Sequence, residues 1–143
     1  MSTAILPTKP SEYAVCFRNE CPLAKTCLRN IAAQEPREDK PFIRIVNPSL
    51  QKDLTNGCSC YRSNQVVKIA YGLSHIYDNV PYVKKEDIMH QIQGKLNRTT
   101  YYRIYRKERP LWPKDQQIIQ KVFSNFGITE PVVFDEYHEV IDW

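Results

Sequence analysis

The chain has 143 residues, 42% apolar and 25% charged, a composition that fits one folded core or two small ones and excludes a disordered chain. No stretch approaches the roughly 20 apolar residues of a membrane span. The opening Met1–Pro10 shows no basic leader followed by an apolar run, so a cytoplasmic location without membrane contact is expected. The net charge of +4 is unevenly spread. Glu130, Asp135, Glu136, Glu139 and Asp142 give residues 130–143 a net of −5. Residues 1–129 then carry 20 basic against 11 acidic side chains, a net of +9. A basic body suits a polyanionic partner, and the acidic end can compete for the same surface.

In chain order, Pro7 and Pro10 keep the lead-in extended. Tyr13–Phe17 reads as a short strand, Cys27–Gln34 as one or two helical turns, and Phe42–Val46 as an alternating, β-branched strand stopped by Asn47-Pro48. Leu54–Cys60 is expected to be a loop around the turn dipeptide Asn56-Gly57. From Asn64 to Tyr77 the apolar residues Val66, Ile69, Ala70, Leu73, Ile76 and Tyr77 follow a helical repeat. A second helix is predicted over Lys84–Leu96, with Ile88, Ile92 and Leu96 on one face. A third starts at Asn97 or Thr99 and ends before Pro110, with Tyr102 and Tyr105 turned to the core. A fourth starts at Pro113, buries Ile118, Ile119, Val122, Phe123 and Phe126, and is capped by Gly127. Pro131–Phe134 is read as an edge strand. The expected fold class is α+β, with a small, Cys-bearing, β-rich first half and a helical, helix-turn-helix-like second half. Its segments are 1–62 (Cys cluster), 63–129 (helical unit) and 130–143 (acidic tail or edge strand).

The cysteines follow Cys16-x4-Cys21-Pro-x4-Cys27 and, well downstream, Cys58-x-Cys60. In a reducing compartment such clustering points to metal rather than disulfides, and the odd count pairs poorly. Four of Cys16, Cys21, Cys27, Cys58 and Cys60 can supply a tetrahedral thiolate site. Zinc is the expected ion; an iron–sulfur cluster or a thiol redox protein is the alternative. Small buried hydrophobes are the other reading of these residues. A catalytic thiol needs a nearby base, and His75, His90 and His138 all lie in the other half. With no phosphate loop or nucleophile elbow visible either, no enzyme is expected.

The segment Asn97–Arg109 holds Arg98, Arg103, Arg106, Lys107 and Arg109 against the single acid Glu108. As a short helix after a tight turn, it would present Arg98, Thr99, Thr100 and Tyr101 to DNA bases and phosphates, while Arg103, Arg106, Lys107 and Arg109 neutralise the backbone. A solvated basic face is the alternative. Residues Lys85–Ile128, with Thr100-Tyr101-Tyr102-Arg103, a basic stretch, Pro110 and Phe126-Gly127-Ile128, resemble phage-repressor-type helix-turn-helix domains, which implies DNA binding. In this chain the turn would fall at Asn97-Arg98.

A second resemblance spans most of the sequence. Cys16, Cys21-Pro22, Cys27-Leu28-Arg29, Val46-Asn47-Pro48, Tyr101-Tyr102-Arg103, Phe134-Asp135-x-Tyr137 and Trp143 resemble an uncharacterised Cys-rich family of small Bacteroidetes proteins, a domain of unknown function. The expected function is therefore a metal-stabilised DNA-binding regulatory protein. The alternative partner is a protein docked by the acidic aromatic tail, with Tyr137 and Trp143 as anchors.

Overall fold

The computed structural model of the chain describes residues 6–50 and 57–143. Among the described residues the fold is mixed α+β: four α-helices, α1 (Leu28–Ala33), α2 (Tyr82–Leu96), α3 (Arg98–Tyr105) and α4 (Pro113–Asn125), with strands β1 (Val66–Tyr71) and β2 (Glu136–Ile141) paired in one small sheet. Two compact units emerge, Pro7–Val66 with Ile141–Trp143, and Val67–Val140.

In Val67–Val140, β1 alternates. Ala70 joins Leu73, Ile88, Ile92, Tyr101, Ile104, Leu111, Ile119, Val122 and Phe123 in the helical core, while Ile69 and Tyr71 pack with Val140 on the other face. The helix expected over Asn64–Tyr77 is therefore replaced by a strand followed by a turn. A strand buried on both faces has a nearly continuous apolar run, which period alone cannot tell from a helix, and the β-branched Val66, Val67 and Ile69 decide it. Gly72 ends the strand at φ +82°, where a Cβ would collide with the Asp135 carboxylate. Oδ2 of that carboxylate accepts from the Ser74 amide at 3.2 Å.

The expected strand at Pro131–Phe134 is also absent. Pro131 has no amide hydrogen, the Val132 amide donates to Gln120 Oε1 (2.8 Å), and the Phe134 amide donates to the Tyr137 hydroxyl (3.1 Å). Side chains consume the donors a ladder needs, so the strand forms further on, at Glu136–Ile141.

The three helices match the sequence reading closely. Pro81 precedes α2, and Pro113 opens α4, where the Asp115 carboxylate accepts from the Trp112 amide at 3.2 Å. Gly127, at φ +81°, closes α4 with Gly127 N–H to Ser124 O (3.0 Å) and Ile128 N–H to Phe123 O (3.1 Å), a Schellman cap. In α3 the core face differs from expectation: Tyr101 and Ile104 are buried, while Tyr102 and Tyr105 are 38% and 47% exposed.

Tyr77 and Tyr101 share a hydroxyl hydrogen bond of 2.9 Å, and burial pushes both phenols above their ordinary range. The unfolded chain releases these protons near the usual phenol pKa of about 10 while the folded chain retains them. The stability they contribute is complete below about pH 10 and is lost as pH rises beyond it. Urea midpoints followed by CD should fall above about pH 10, and less steeply in Tyr77→Phe, which has one fewer buried phenol to titrate.

The unit Pro7–Val66 with Ile141–Trp143 has far less core. Val15, Ala32 and Ala33 cluster with Tyr13, and Ala24, Leu28 and Val46 are buried nearby in sequence. The β-rich first half expected from the sequence is not found. Among the described residues of this unit, β-pairing before Val66 is limited to the isolated pairs Val15↔Ile45 and Cys27↔Ser63. Pro41 and Pro48 bracket Phe42–Val46, and Val46 N–H to Val15 O (2.8 Å) with Val15 N–H to Arg44 O (3.1 Å) is all the ladder that results. The Leu54–Asn56 part of the expected loop lies outside the described residues. Trp143 packs edge-to-face on Tyr13 at 5.6 Å.

Candidate metal centre and basic helix face

The cysteines are positioned by hydrogen bonds that converge on α1. The Cys16 amide donates to Arg29 O (2.9 Å). The Cys21 carbonyl accepts from Ala24 N–H (3.0 Å), opening a 3-10 turn over Ala24–Thr26, and Cys27 immediately precedes α1. Leu28 N–H to Arg62 O (2.7 Å) and Asn64 N–H to Thr26 O (3.0 Å) lay residues 62–64 along the Cys27 segment. Cys58 and Cys60 are thereby brought to the same place.

Two polar side chains of α1 tie the stretches together. Arg29 donates from Nε to Cys60 O and from Nη1 to Ala14 O, both at 2.8 Å. Asn30, which is buried, donates from Nδ2 to Cys16 O and to Asn19 Oδ1, both at 3.1 Å. Sequence reasoning gave neither residue this role. The available signal was the polar pair Arg29-Asn30, two residues after Cys27 in the otherwise apolar segment Leu28–Ala33.

Cys16, Cys21, Cys27, Cys58 and Cys60 all line one cavity of about 20 Å³, together with Arg18 and Arg29. Cys27 is buried and the other four are half-buried. The two distant stretches thus line the same cavity. Among the described residues, however, no group of three or more His, Cys, Asp or Glu side chains stands as a ready-made ligand set. The thiols share a cavity without closing on a common point. Gly57, at φ +85° and with open space around its Cα, flanks the Cys58–Cys60 turn and leaves it room to adjust.

The second candidate surface is α3. α2 and α3 are joined by Asn97 alone (φ 74°, ψ 142°), whose side chain accepts from Thr99 N–H at 2.9 Å. A helix-turn-helix uses a turn of three to four residues, so this junction departs from that motif. Tyr101, expected at the nucleic-acid surface, is 2% exposed. It cannot reach a base, because the Asn97 cap sets the helical phase that turns positions 101 and 104 inward.

The remaining residues expected at that surface divide. Arg98, Thr99 and Arg103 are exposed. Arg106 donates to both carboxylate oxygens of Glu108 (2.9 and 3.2 Å), and Lys107 pairs with Glu136 at 2.6 Å. These contacts hold both carboxyls below the ordinary range. Arg109 is half-buried and donates to Thr100 Oγ1 at 3.4 Å. Of the tail residues expected to dock a partner, Tyr137 has the Lys68 ammonium 4.6 Å from its ring centroid, and Trp143 packs on Tyr13.

Fold and site together define a small α+β chain with a five-cysteine cavity and a basic, aromatic helix face. The chain belongs to a family of unknown function (DUF6078), whose model matches residues 1–143. No curated protein and no solved structure matches the chain.

Proposed function

We propose that this protein is a zinc-stapled, nucleic-acid-binding regulatory protein. The observation that carries the reading is the meeting of all five cysteines on one cavity of about 20 Å³. A single tetrahedral ion held by thiolates suits such a cysteine-lined cavity. Four thiolates complete a closed structural site, and the fifth remains beside it. Closing the site requires the thiols to move inward from their present positions, a movement the ion's charge favours. A unit whose core is Val15, Ala32, Ala33 and a few neighbours gains from such a staple the folding energy that burial does not supply. The reading applies to a reducing compartment such as the cytoplasm, where the thiols remain available.

Nucleic acid is the partner favoured by the exposed face of α3, where Arg98, Arg103 and Arg106 lie among tyrosines, and by the net +9 of residues 1–129. Binding should weaken steeply with salt. Arg103→Ala and Arg106→Ala should each lower the slope of log K against log salt by about 1. Fluorescence anisotropy across a salt series measures this, and a protein that ignores nucleic acid at low ionic strength removes the nucleic-acid half of the reading.

A further inference from the structure

We infer that the face of α3 binds single-stranded rather than duplex nucleic acid, with Tyr102 and Tyr105 stacking on unpaired bases and Arg98, Arg103 and Arg106 contacting phosphates. This rests on the nucleic-acid reading above and specifies its substrate.

The geometry does not suit the major groove. A recognition helix reads a duplex by directing first-turn side chains at base edges while a preceding helix crosses the backbone. Here Tyr101 is turned into the core and hydrogen-bonded to Tyr77, and Thr100 accepts from Arg109. The single-residue link at Asn97 replaces the turn that sets the helix-turn-helix angle. α3 has eight residues and is about 12 Å long.

The outer face offers a different chemistry. Tyr102 and Tyr105, three residues apart, share that face and are 38% and 47% exposed. Tyr102 is already held in place: the Tyr101 ring meets it edge-on at 5.3 Å and 87°, and the Arg98 guanidinium lies 5.9 Å from its centroid. An aromatic ring fixed before binding loses little freedom on contact. Bases inside a duplex are stacked on one another and cannot use such a platform, whereas unpaired bases can.

Charge is arranged to accompany the rings. Positions 98, 102 and 106 are four residues apart and therefore lie along one side of α3, with Arg103 flanking them. Arg106 is occupied by Glu108, but both side chains are about half exposed (55% and 50%). An ion pair so open to water holds weakly and can be exchanged for a phosphate.

The test uses the full native chain and labelled oligonucleotides of one sequence, as single-stranded DNA, single-stranded RNA and duplex DNA, compared by anisotropy at low salt. Both single strands should bind at least about ten-fold more tightly than the duplex, and the DNA and RNA arms show which sugar is preferred. Tyr102→Ala and Tyr105→Ala should each weaken single-strand binding about five- to a hundred-fold, while Tyr102→Phe and Tyr105→Phe, which keep the ring, should bind nearly as the parent does. Both positions are on the exterior, and CD of each variant verifies the fold. Equal or tighter duplex binding overturns this inference and leaves the nucleic-acid reading standing, as does single-strand binding indifferent to both alanine variants. Failure to bind any of the three removes both.

Discussion

On the proposed zinc-staple reading, removing the ion with a chelator should unfold the unit Pro7–Val66 with Ile141–Trp143 and leave the helices of Val67–Val140 protected from hydrogen exchange. The first unit buries Val15, Ala24, Leu28, Ala32, Ala33 and Val46, mostly small side chains, around one short helix. The second buries a contiguous set, with Ile88, Ile92, Ile104, Ile119 and Phe123 from three longer helices and Leu111 from the link before α4. A structural zinc contributes on the order of 10 kcal/mol to folding at neutral pH, comparable to the whole stability of a typical domain. Because the ligands must be thiolates, acid should release the ion as protons compete for sulfur. Cys27→Ser should reproduce the loss, since Cys27 is the buried thiol of the cavity. Hydrogen-exchange mass spectrometry with and without a chelator measures the effect, and unchanged protection in the first unit would contradict it.

The second large effect is expected at Arg29. Its guanidinium joins Cys60 O in the downstream cysteine pair to Ala14 O, two residues before Cys16, and lies 4.9 Å from the Tyr13 ring centroid. Hydrogen bonds from a charged donor are worth about 1.5–3 kcal/mol each, so losing both in Arg29→Ala should destabilise this unit by about 3–6 kcal/mol. Residues that orient metal ligands typically govern affinity by 10–100-fold. Zinc affinity should therefore fall about 10–100-fold, read by competition against a chromogenic chelator. Arg29→Lys should not restore it, since an ammonium lacks the fork that reaches both carbonyls. An Arg29→Ala protein with parental zinc affinity would show that the clamp does not organise the thiols.

What the sequence disclosed depended on how local the cause was. α2, α3 and α4 were readable because their signals are internal: a four-residue apolar period, Asn97 as cap, Pro113 at the first turn and Gly127 at the last. β1 was misread because its partners on both faces are far away in sequence. Pro131–Phe134 looked strand-like until Gln120 and Tyr137 took its amides. The phase of α3 was off by one residue at the tyrosines: the cap that fixes it was identified, but two start points remained open. For the cysteines, clustering announced a shared location. The means of convergence, Arg29 and Asn30 reaching carbonyls in other segments, carried no recognisable spacing.

Metal analysis of the protein as purified from cells, without chelators and with oxygen excluded, decides whether a zinc ion staples the cysteines. A colourless protein holding one zinc per chain is expected, with one of its five thiols reactive until the ion is removed. A protein free of zinc with all five thiols reactive, or a coloured one holding iron, would contradict it.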